Sequence, residues 1–291
     1  MKRNHLKILT ALLSVLLLLT GCIHPEQKEE GTTSPIDVSQ IDKNVIGSYR
    51  TMQYTYLTNV DTAILTTDLS QTYLVLANKT NALGSDYEPA QLTTLTCATL
   101  QEGRVYELDA RAAQALYAML AEMNAAGVSD IMVASSYRSY EYQKNTYNKY
   151  LVHEQSCIST DAYRVFGQAY IKMNYLDKQK FELTLEDAET VVQSYSALPG
   201  QSEHQTGLCI DFATKEEDEV LTEAFENTRA FAWLAQNAYK FGFILRYPKG
   251  KEDITGYTYE PWHYRFVGRE AATDIYNGNM TLEQYLQLTA E

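Results

Sequence analysis

The sequence predicts an α+β fold, and three observations carry that prediction. Apolar runs short enough for buried strands recur at 131–134, 243–247 and 264–267, while stretches with helical spacing occupy 109–126 and 229–241. These strands and helices are interspersed with neither a regular βαβ rhythm nor an internal repeat, which is the mark of an α+β arrangement. The chain is also long enough, at 291 residues, to bury one sizeable core with segments left over.

The first such segment is the N-terminus. Lys2, Arg3 and Lys7 form a basic start, followed by an almost unbroken apolar run from Ile8 to Leu19. That run has signal-peptide length and falls short of the ~20 residues that span a membrane. It ends Leu19-Thr20-Gly21-Cys22, which resembles the lipobox of bacterial lipoproteins, where the chain is cut before the cysteine and that cysteine is acylated. Residues 1–21 are therefore expected to be a signal peptide and Cys22 a lipid anchor, each buried CH₂ adding about 0.8 kcal/mol. Residues 22–45 are polar, with Pro, Gly, Ser and Thr, and read as a flexible tether. The expected location is the extracytoplasmic face of the bacterial cell membrane. Residues 46–72 contain alternating β-formers (Tyr54, Tyr56, Leu57, Ile64, Leu65) and read as an N-terminal extension with an added strand or two.

Tyr73 to Ala77 is a strand candidate, followed by a turn-rich loop from Asn78 to Tyr87. Asp109 is placed to cap a helix in which Ala112, Leu116, Leu120 and Met123 recur at helical spacing, with Gly127 to close it. A buried strand, Ile131 to Ala134, runs into Ser135-Ser-Tyr-Arg-Ser139. Ser139 then caps a helix with Tyr140, Gln143, Tyr147 and Leu151 on one face. Residues 153–183 read as a helical excursion, and Thr184 opens a further helix that stops at Pro199-Gly200. Arg229 to Phe241 is a helix closed by Gly242, Phe243 to Tyr247 and Tyr264 to Val267 are strands, and Thr281 with Gln284 forms a capping box for the last helix.

The formal charge is -13, and loss of the basic leader would make it more negative. Such a surface argues against a nucleic-acid partner or anionic lipid held through a basic patch. With Cys22 acylated, Cys97, Cys157 and Cys209 remain, an odd and sparse set without CxxC spacing. A disulfide-stapled fold is not expected, and a single Cys97–Cys157 bridge is left open.

Chemistry concentrates in two clusters. Ser202-Glu-His-Gln-Thr-Gly-Leu-Cys-Ile-Asp211 places a histidine and an aspartate around a glycine turn that leads into a short apolar strand, and Glu260-Pro-Trp-His263 follows later. Among the five histidines, His5 lies in the leader, His24 beside the anchor, and His153 in a helical stretch without a ligand-type partner. His204 and His263 each adjoin a carboxylate in a turn-rich segment. Two imidazoles and a carboxylate would hold a metal, with one further carboxylate to act on water. Three protein donors and an open position is the usual form of a hydrolytic zinc centre, and zinc takes nitrogen and oxygen donors without needing a thiolate.

On a straight strand Glu260 and His263 would face opposite ways, so a turn or bulge at Pro261 is needed to bring both to the metal. Cys209 and Asp211 would share a strand face, which makes a thiolate ligand conceivable; packing beneath the site is the preferred reading. Arg138, at the end of a strand, is a candidate for stabilising an oxyanion.

The arrangement SxHxxGxxxD followed by ExWH resembles that of the zinc D-alanyl-D-alanine carboxypeptidases and dipeptidases of the vancomycin-resistance group, the VanY type most closely. Four segments match in order: Ser136 to Gln143, Ser202 to Asp211, Gly242 to Pro248, and Ile254 to His263. The loop Asn78 to Asn81 and the closing Met280 to Tyr285 are similar as well, so the resemblance spans 73–286. It implies a single zinc peptidase domain of the D-Ala-D-Ala peptidase and Hedgehog type, with a small mixed or antiparallel sheet and flanking helices. It implies one Zn2+ held by His204, Asp211 and His263. Glu260 becomes the general base that later protonates the leaving amine, and Arg138 the group that polarises the scissile carbonyl. Ser202 and Gln143 would hold the terminal D-Ala and its carboxylate. Two departures stand out. The family usually carries Ala where this chain has Cys209, and the segment between Gln143 and Pro199 is longer than usual, which puts the preferred substrate length in question.

The expected activity is removal of the terminal D-Ala from peptidoglycan stem peptides by a zinc carboxypeptidase anchored to the membrane through Cys22. An L,D-carboxypeptidase acting on tetrapeptide stems is the nearest rival, with the same metal set. A binding module that recognises stem peptides without cutting them is a rival of another class. Its mark would be loss of the general base, yet Glu260 is present with all three ligands.

Overall fold

Residues 36–65, 71–156, 189, 192–193 and 196–290 are described by the structure, a computed structural model. The expected leader, Cys22, Cys157 and most of the segment from 157 to 195 lie outside them. Strands β1 (Leu92–Thr94) and β2 (Glu107–Asp109) form a separate antiparallel pair. The central sheet is antiparallel in the order β3-β4-β6-β5, with β3 at Met132–Ser135, β4 at Cys209–Ala213, β5 at Phe243–Leu245 and β6 at His263–Phe266.

These runs are strands because apolar and aromatic side chains recur every second residue. Ile210 and Phe212 on β4 and Tyr264 and Phe266 on β6 all enter the main core. Against that face packs a helix from Ala110 to Ala125, with Ala112, Leu116, Met119 and Met123 fully buried. Burying a Leu or Met side chain contributes roughly 1.5–3 kcal/mol each. The Asp109 carboxylate caps this helix, accepting from the backbone N–H of Arg111 at 2.9 Å and Ala112 at 3.2 Å. Ser139 Oγ likewise accepts from Tyr142 N at 3.1 Å, at the start of the helix Tyr140–Ser156. Helix Arg229–Asn237 continues as a 3-10 turn, Ala238–Phe241, and closes at Gly242. A second apolar cluster joins Ile244 to the helices Arg269–Asn277 and Leu282–Ala290. The capping box of the last helix is complete: Thr281 N donates to Gln284 Oε1 at 3.1 Å, and Gln284 N to Thr281 Oγ1 at 3.2 Å.

The N-terminal side departs from expectation. No strand forms over Tyr73–Ala77; a helical turn spans Gln71–Leu74, and the carbonyls of Tyr73 and Val75 accept from Arg265 Nη2 at 3.0 and 2.8 Å instead of joining a ladder. The strands expected within 46–72 are also missing from its described residues, which carry 3-10 turns at Ser48–Arg50 and Thr62–Ile64. Two carboxylates do the work of a sheet edge there. Asp274 accepts from Gly47 N, Ser48 Oγ and Tyr49 N at 2.7, 2.8 and 3.3 Å. Glu122 accepts from Leu57 N, from Thr58 N at 3.0 Å and from Thr58 Oγ1 at 2.7 Å. Val38, Ile41 and Val45 pack on the second cluster, so the folded unit reaches back into the stretch expected to be tether. Among the described residues no helix is long and apolar enough to cross a membrane.

Candidate active site

Alternation on β4 and β6 separates core from chemistry. Ile210, Phe212, Tyr264 and Phe266 turn inward, so Cys209, Asp211, His263 and Arg265 share the opposite face. In the register of the two strands Asp211 stands across from His263 and Cys209 across from Arg265. His204 arrives from the 3-10 turn Glu203–Thr206, which ends at Gly207 with φ 67°. A Cβ at Gly207 would stand 2.9 Å from the Pro89 side chain, so both the turn and the close approach call for glycine.

The two imidazoles and the carboxylate meet in a buried spot. His204 Nε2 is 3.1 Å from Asp211 Oδ2, and His263 Nδ1 is 2.8 Å from Asp211 Oδ1. The other nitrogen of each ring is already committed. His204 Nδ1 donates to the Ser136 carbonyl at 2.7 Å, and His263 Nε2 donates to Glu203 Oε2 at 3.2 Å. Nε2 of His204 and Nδ1 of His263 are thereby left to face a cation. The sequence assigns Cys209 to packing beneath the site; the structure brings its Sγ within 4.8 Å of ring nitrogens of both His204 and His263. Two imidazoles and a carboxylate, with a thiol at hand, fit Zn2+.

Electrostatics express the same convergence. Burial opposes ionisation of Asp211, but His204 and His263 outweigh it and hold the carboxyl well below the usual range. Burial and Arg138 push His204 down, yet Cys209 and Asp211 carry it up to about 9. Burial would raise the Cys209 thiol, and the two imidazoles bring it down instead. A divalent cation supplies the positive charge that protons on these rings otherwise provide.

Behind His263 stands a charge network that the motifs do not announce. Glu203 Oε1 accepts from Arg246 Nε at 2.8 Å and from Arg265 Nη1 at 2.6 Å. Arg246 also forks onto Glu283, with contacts of 2.9 and 2.6 Å. Burial alone would raise the Glu203 carboxyl; Arg246 and then Arg265 hold it well below the usual range. The signal in the sequence is an arginine inside each of two apolar strand runs, at 246 and 265. A charge buried there must be paired.

The remaining expected residues line a cavity of about 950 Å³ with Tyr247, Tyr257 and Trp262. The turn anticipated at Pro261 is present, His263 N donating to the Glu260 carbonyl at 3.1 Å. It leaves Glu260 Oε2 3.8 Å from His263 Nδ1. Burial pushes the Glu260 carboxyl up to about 7, with His263 opposing. Arg138 is tied by its backbone N–H to the His204 carbonyl at 3.2 Å. Its buried Nε has no partner among the described residues. Ser202 is buried at the cavity wall and its side chain does not cap the turn it precedes. Gln143 donates from Nε2 to the Ala197 carbonyl at 2.7 Å, and its Oε1 has no partner among the described residues.

The family model VanY, D-alanyl-D-alanine carboxypeptidase, matches residues 105–269. YodJ of Bacillus subtilis (strain 168), which carries a carboxypeptidase name, is 36% identical over 216 residues, 74% of this chain and 67% of its own. A solved LdcB LD-carboxypeptidase superposes with a TM-score of 0.58 at 33% identity, covering 79% of this chain and 92% of that one. A solved mutant of the vancomycin-resistance D,D-pentapeptidase VanY in complex with Zn(II) superposes with a TM-score of 0.54 at 32% identity, covering 74% and 99%.

Proposed function

The chain belongs to the VanY family of D-alanyl-D-alanine carboxypeptidases and is a zinc-dependent carboxypeptidase; on that premise we propose that it trims the terminal D-Ala from peptidoglycan stem peptides, with His204, Asp211 and His263 holding the ion. The observation that carries this assignment is the convergence of His204 Nε2, His263 Nδ1 and the Asp211 carboxylate beside a cavity that Glu260 and Arg138 also line.

When bound, zinc supplies Lewis acidity and makes water a nucleophile at neutral pH. The side chains of the chain do the rest. Glu260, poised near neutrality, takes a proton from the attacking water and returns it to the leaving amine nitrogen, one carboxyl serving as base and then acid. Arg138 offers guanidinium N–H groups to the oxygen that gains charge as the scissile carbonyl is attacked. Ser202 and Gln143 hold the terminal residue and its carboxylate. Tyr247, Tyr257 and Trp262 wall the cavity beside the reacting groups.

An L,D-carboxypeptidase working on tetrapeptide stems would use the same side chains, and the likeness to the LdcB structure favours it as the second reading. The motif Leu19-Thr20-Gly21-Cys22 supports a location outside the cytoplasmic membrane, with Cys22 acylated. The test offers stem pentapeptide and tetrapeptide separately to the detergent-solubilised, zinc-loaded chain, with mass spectrometry following loss of one alanine. Pentapeptide trimming that Glu260→Ala abolishes is expected. Trimming of tetrapeptide alone replaces the D,D assignment with the L,D one, and cutting of neither overturns both.

A further inference from the structure

We propose that Cys209 is a fourth protein donor to the ion, so that the centre of this chain is built from His204, Cys209, Asp211 and His263. The inference rests on the metal-centre reading above and adds a sulfur to it.

Cys209 lies two residues before Asp211 on β4, so both side chains project from one face. The β4–β6 register sets Cys209 opposite Arg265, one diagonal step from His263. The turn ending at Gly207 brings His204 to the same place, and the two imidazole rings meet edge to face with centroids 5.1 Å apart. As a result Sγ and a nitrogen of each ring all lie within 4.8 Å of one another. The three side chains are shut away from solvent, Cys209 at 0% exposure and each histidine at 3%.

A second observation separates this thiol from an ordinary buried cysteine. Its chain neighbours Leu208 and Ile210 belong to the main apolar cluster, whereas Cys209 belongs to neither cluster although it is fully buried. Its sulfur faces the two imidazoles, which gain little from a hydrocarbon-like contact and much from a shared cation; Asp211 reaches the same two rings through its carboxylate oxygens. Zinc bonds imidazole nitrogen at about 2.0–2.1 Å and thiolate sulfur at about 2.3 Å. Nitrogen and sulfur on one tetrahedral ion therefore stand roughly 3.6 Å apart, a separation that side-chain adjustment reaches from the observed spacing. With four protein donors, water or substrate would enter as a fifth ligand, an expansion that zinc sometimes undergoes in the transition state. A thiolate donor changes the ion preferred, since sulfur favours softer metals.

The test loads the full chain with Co2+, Zn2+ and Cd2+ in turn. The Co2+ form is expected to show a sulfur-to-cobalt charge-transfer band in the near ultraviolet beside the visible bands of the bound ion. Cys209→Ala and Cys209→Ser should keep the visible bands and lose the near-ultraviolet one. Zinc affinity in Cys209→Ala should fall by about tenfold or more, the scale set by partners of metal ligands, and cadmium affinity should fall further. Visible bands without the sulfur band in the wild type, or a sulfur band that survives in both variants, overturn the proposal while leaving the metal-centre reading standing. Failure of the wild type to bind any of the three ions overturns both. If neither variant folds, X-ray absorption at the zinc edge of the wild type decides: one sulfur neighbour supports the proposal and none overturns it.

Discussion

Asp211 and His263 face each other directly across the β4–β6 ladder, His263 Nδ1 lying 2.8 Å from Asp211 Oδ1. Two of the three expected ligands are thus placed by strand register, which every hydrogen bond of that ladder enforces. A slip of either strand by one residue would turn its own member of the pair into the core. His263→Ala and Asp211→Ala are therefore expected to lower kcat/KM by more than 100-fold while leaving the far-ultraviolet circular dichroism unchanged. Competition with a chromophoric chelator should show the cause, a loss of zinc affinity. Tight zinc binding in either variant would contradict the ligand assignment.

Glu260 is the proposed general base. Its carboxyl is pushed up to about 7 by burial, and only the ionised form accepts a proton. As pH falls through that value the base is lost, so kcat/KM should decline on the acid side with an inflection near neutrality. Glu260→Gln should reduce kcat by about 10²–10⁴-fold and remove that limb. Metal content by atomic emission should stay at the wild-type level, which separates a catalytic role from a ligand role.

Glu203 makes the strongest stability prediction. It is fully buried and neutralises parts of two arginines, Arg246 and Arg265. Glu203→Gln leaves those charges short of a partner and should cost about 3–5 kcal/mol of unfolding free energy, measured by urea titration. The pH dependence has a definite sign. A carboxyl held below its unfolded value gives stability that is present above the usual glutamate pKa of about 4.3 and is lost as pH falls below it. The acid-side decline in melting temperature should therefore be shallower in Glu203→Gln than in the wild type.

Metal binding should release protons. Asp211 and Cys209 help carry His204 up to about 9, so at neutral pH its ring gives up a proton when a cation takes the position. Apparent zinc affinity should rise with pH up to that value and flatten above it. Calorimetry in buffers of different ionisation enthalpy counts the protons directly. A proton count of zero at pH 7 would show that the rings are neutral before the ion arrives.

Legibility from sequence follows the range of the interaction. The Thr281–Gln284 box, the Asp109 cap and the turn at Pro261 all depend on neighbours within a few residues, and all are readable in the chain. The convergence of His204, Asp211 and His263 is readable because the first two flank the turn at Gly207 and the third stands in a turn beside a carboxylate, Glu260. Glu203 sits between Ser202 and His204, yet its partners lie 43 and 62 residues away, so no local pattern declares them. The segment 46–65 misleads for a related reason: its tyrosines and leucines alternate as in a strand, but its backbone bonds go to the carboxylates of Glu122 and Asp274. Cys209 is visible as a residue, and its position relative to both imidazoles depends on a turn and a strand register together.

Asp274 also has a mechanical meaning. Its carboxylate gathers Gly47 N, Ser48 Oγ and Tyr49 N in one place, on the helix Arg269–Asn277. Along the backbone from the N-terminal side this mooring follows the apolar packing of Val38, Ile41 and Val45, and Glu122 provides a further one at Leu57 and Thr58. Both segments precede, along the chain, the strands that carry Asp211 and His263. The N-terminal stretch is thus fastened to helices, while Asp211 and His263 are fixed to each other by the β4–β6 register.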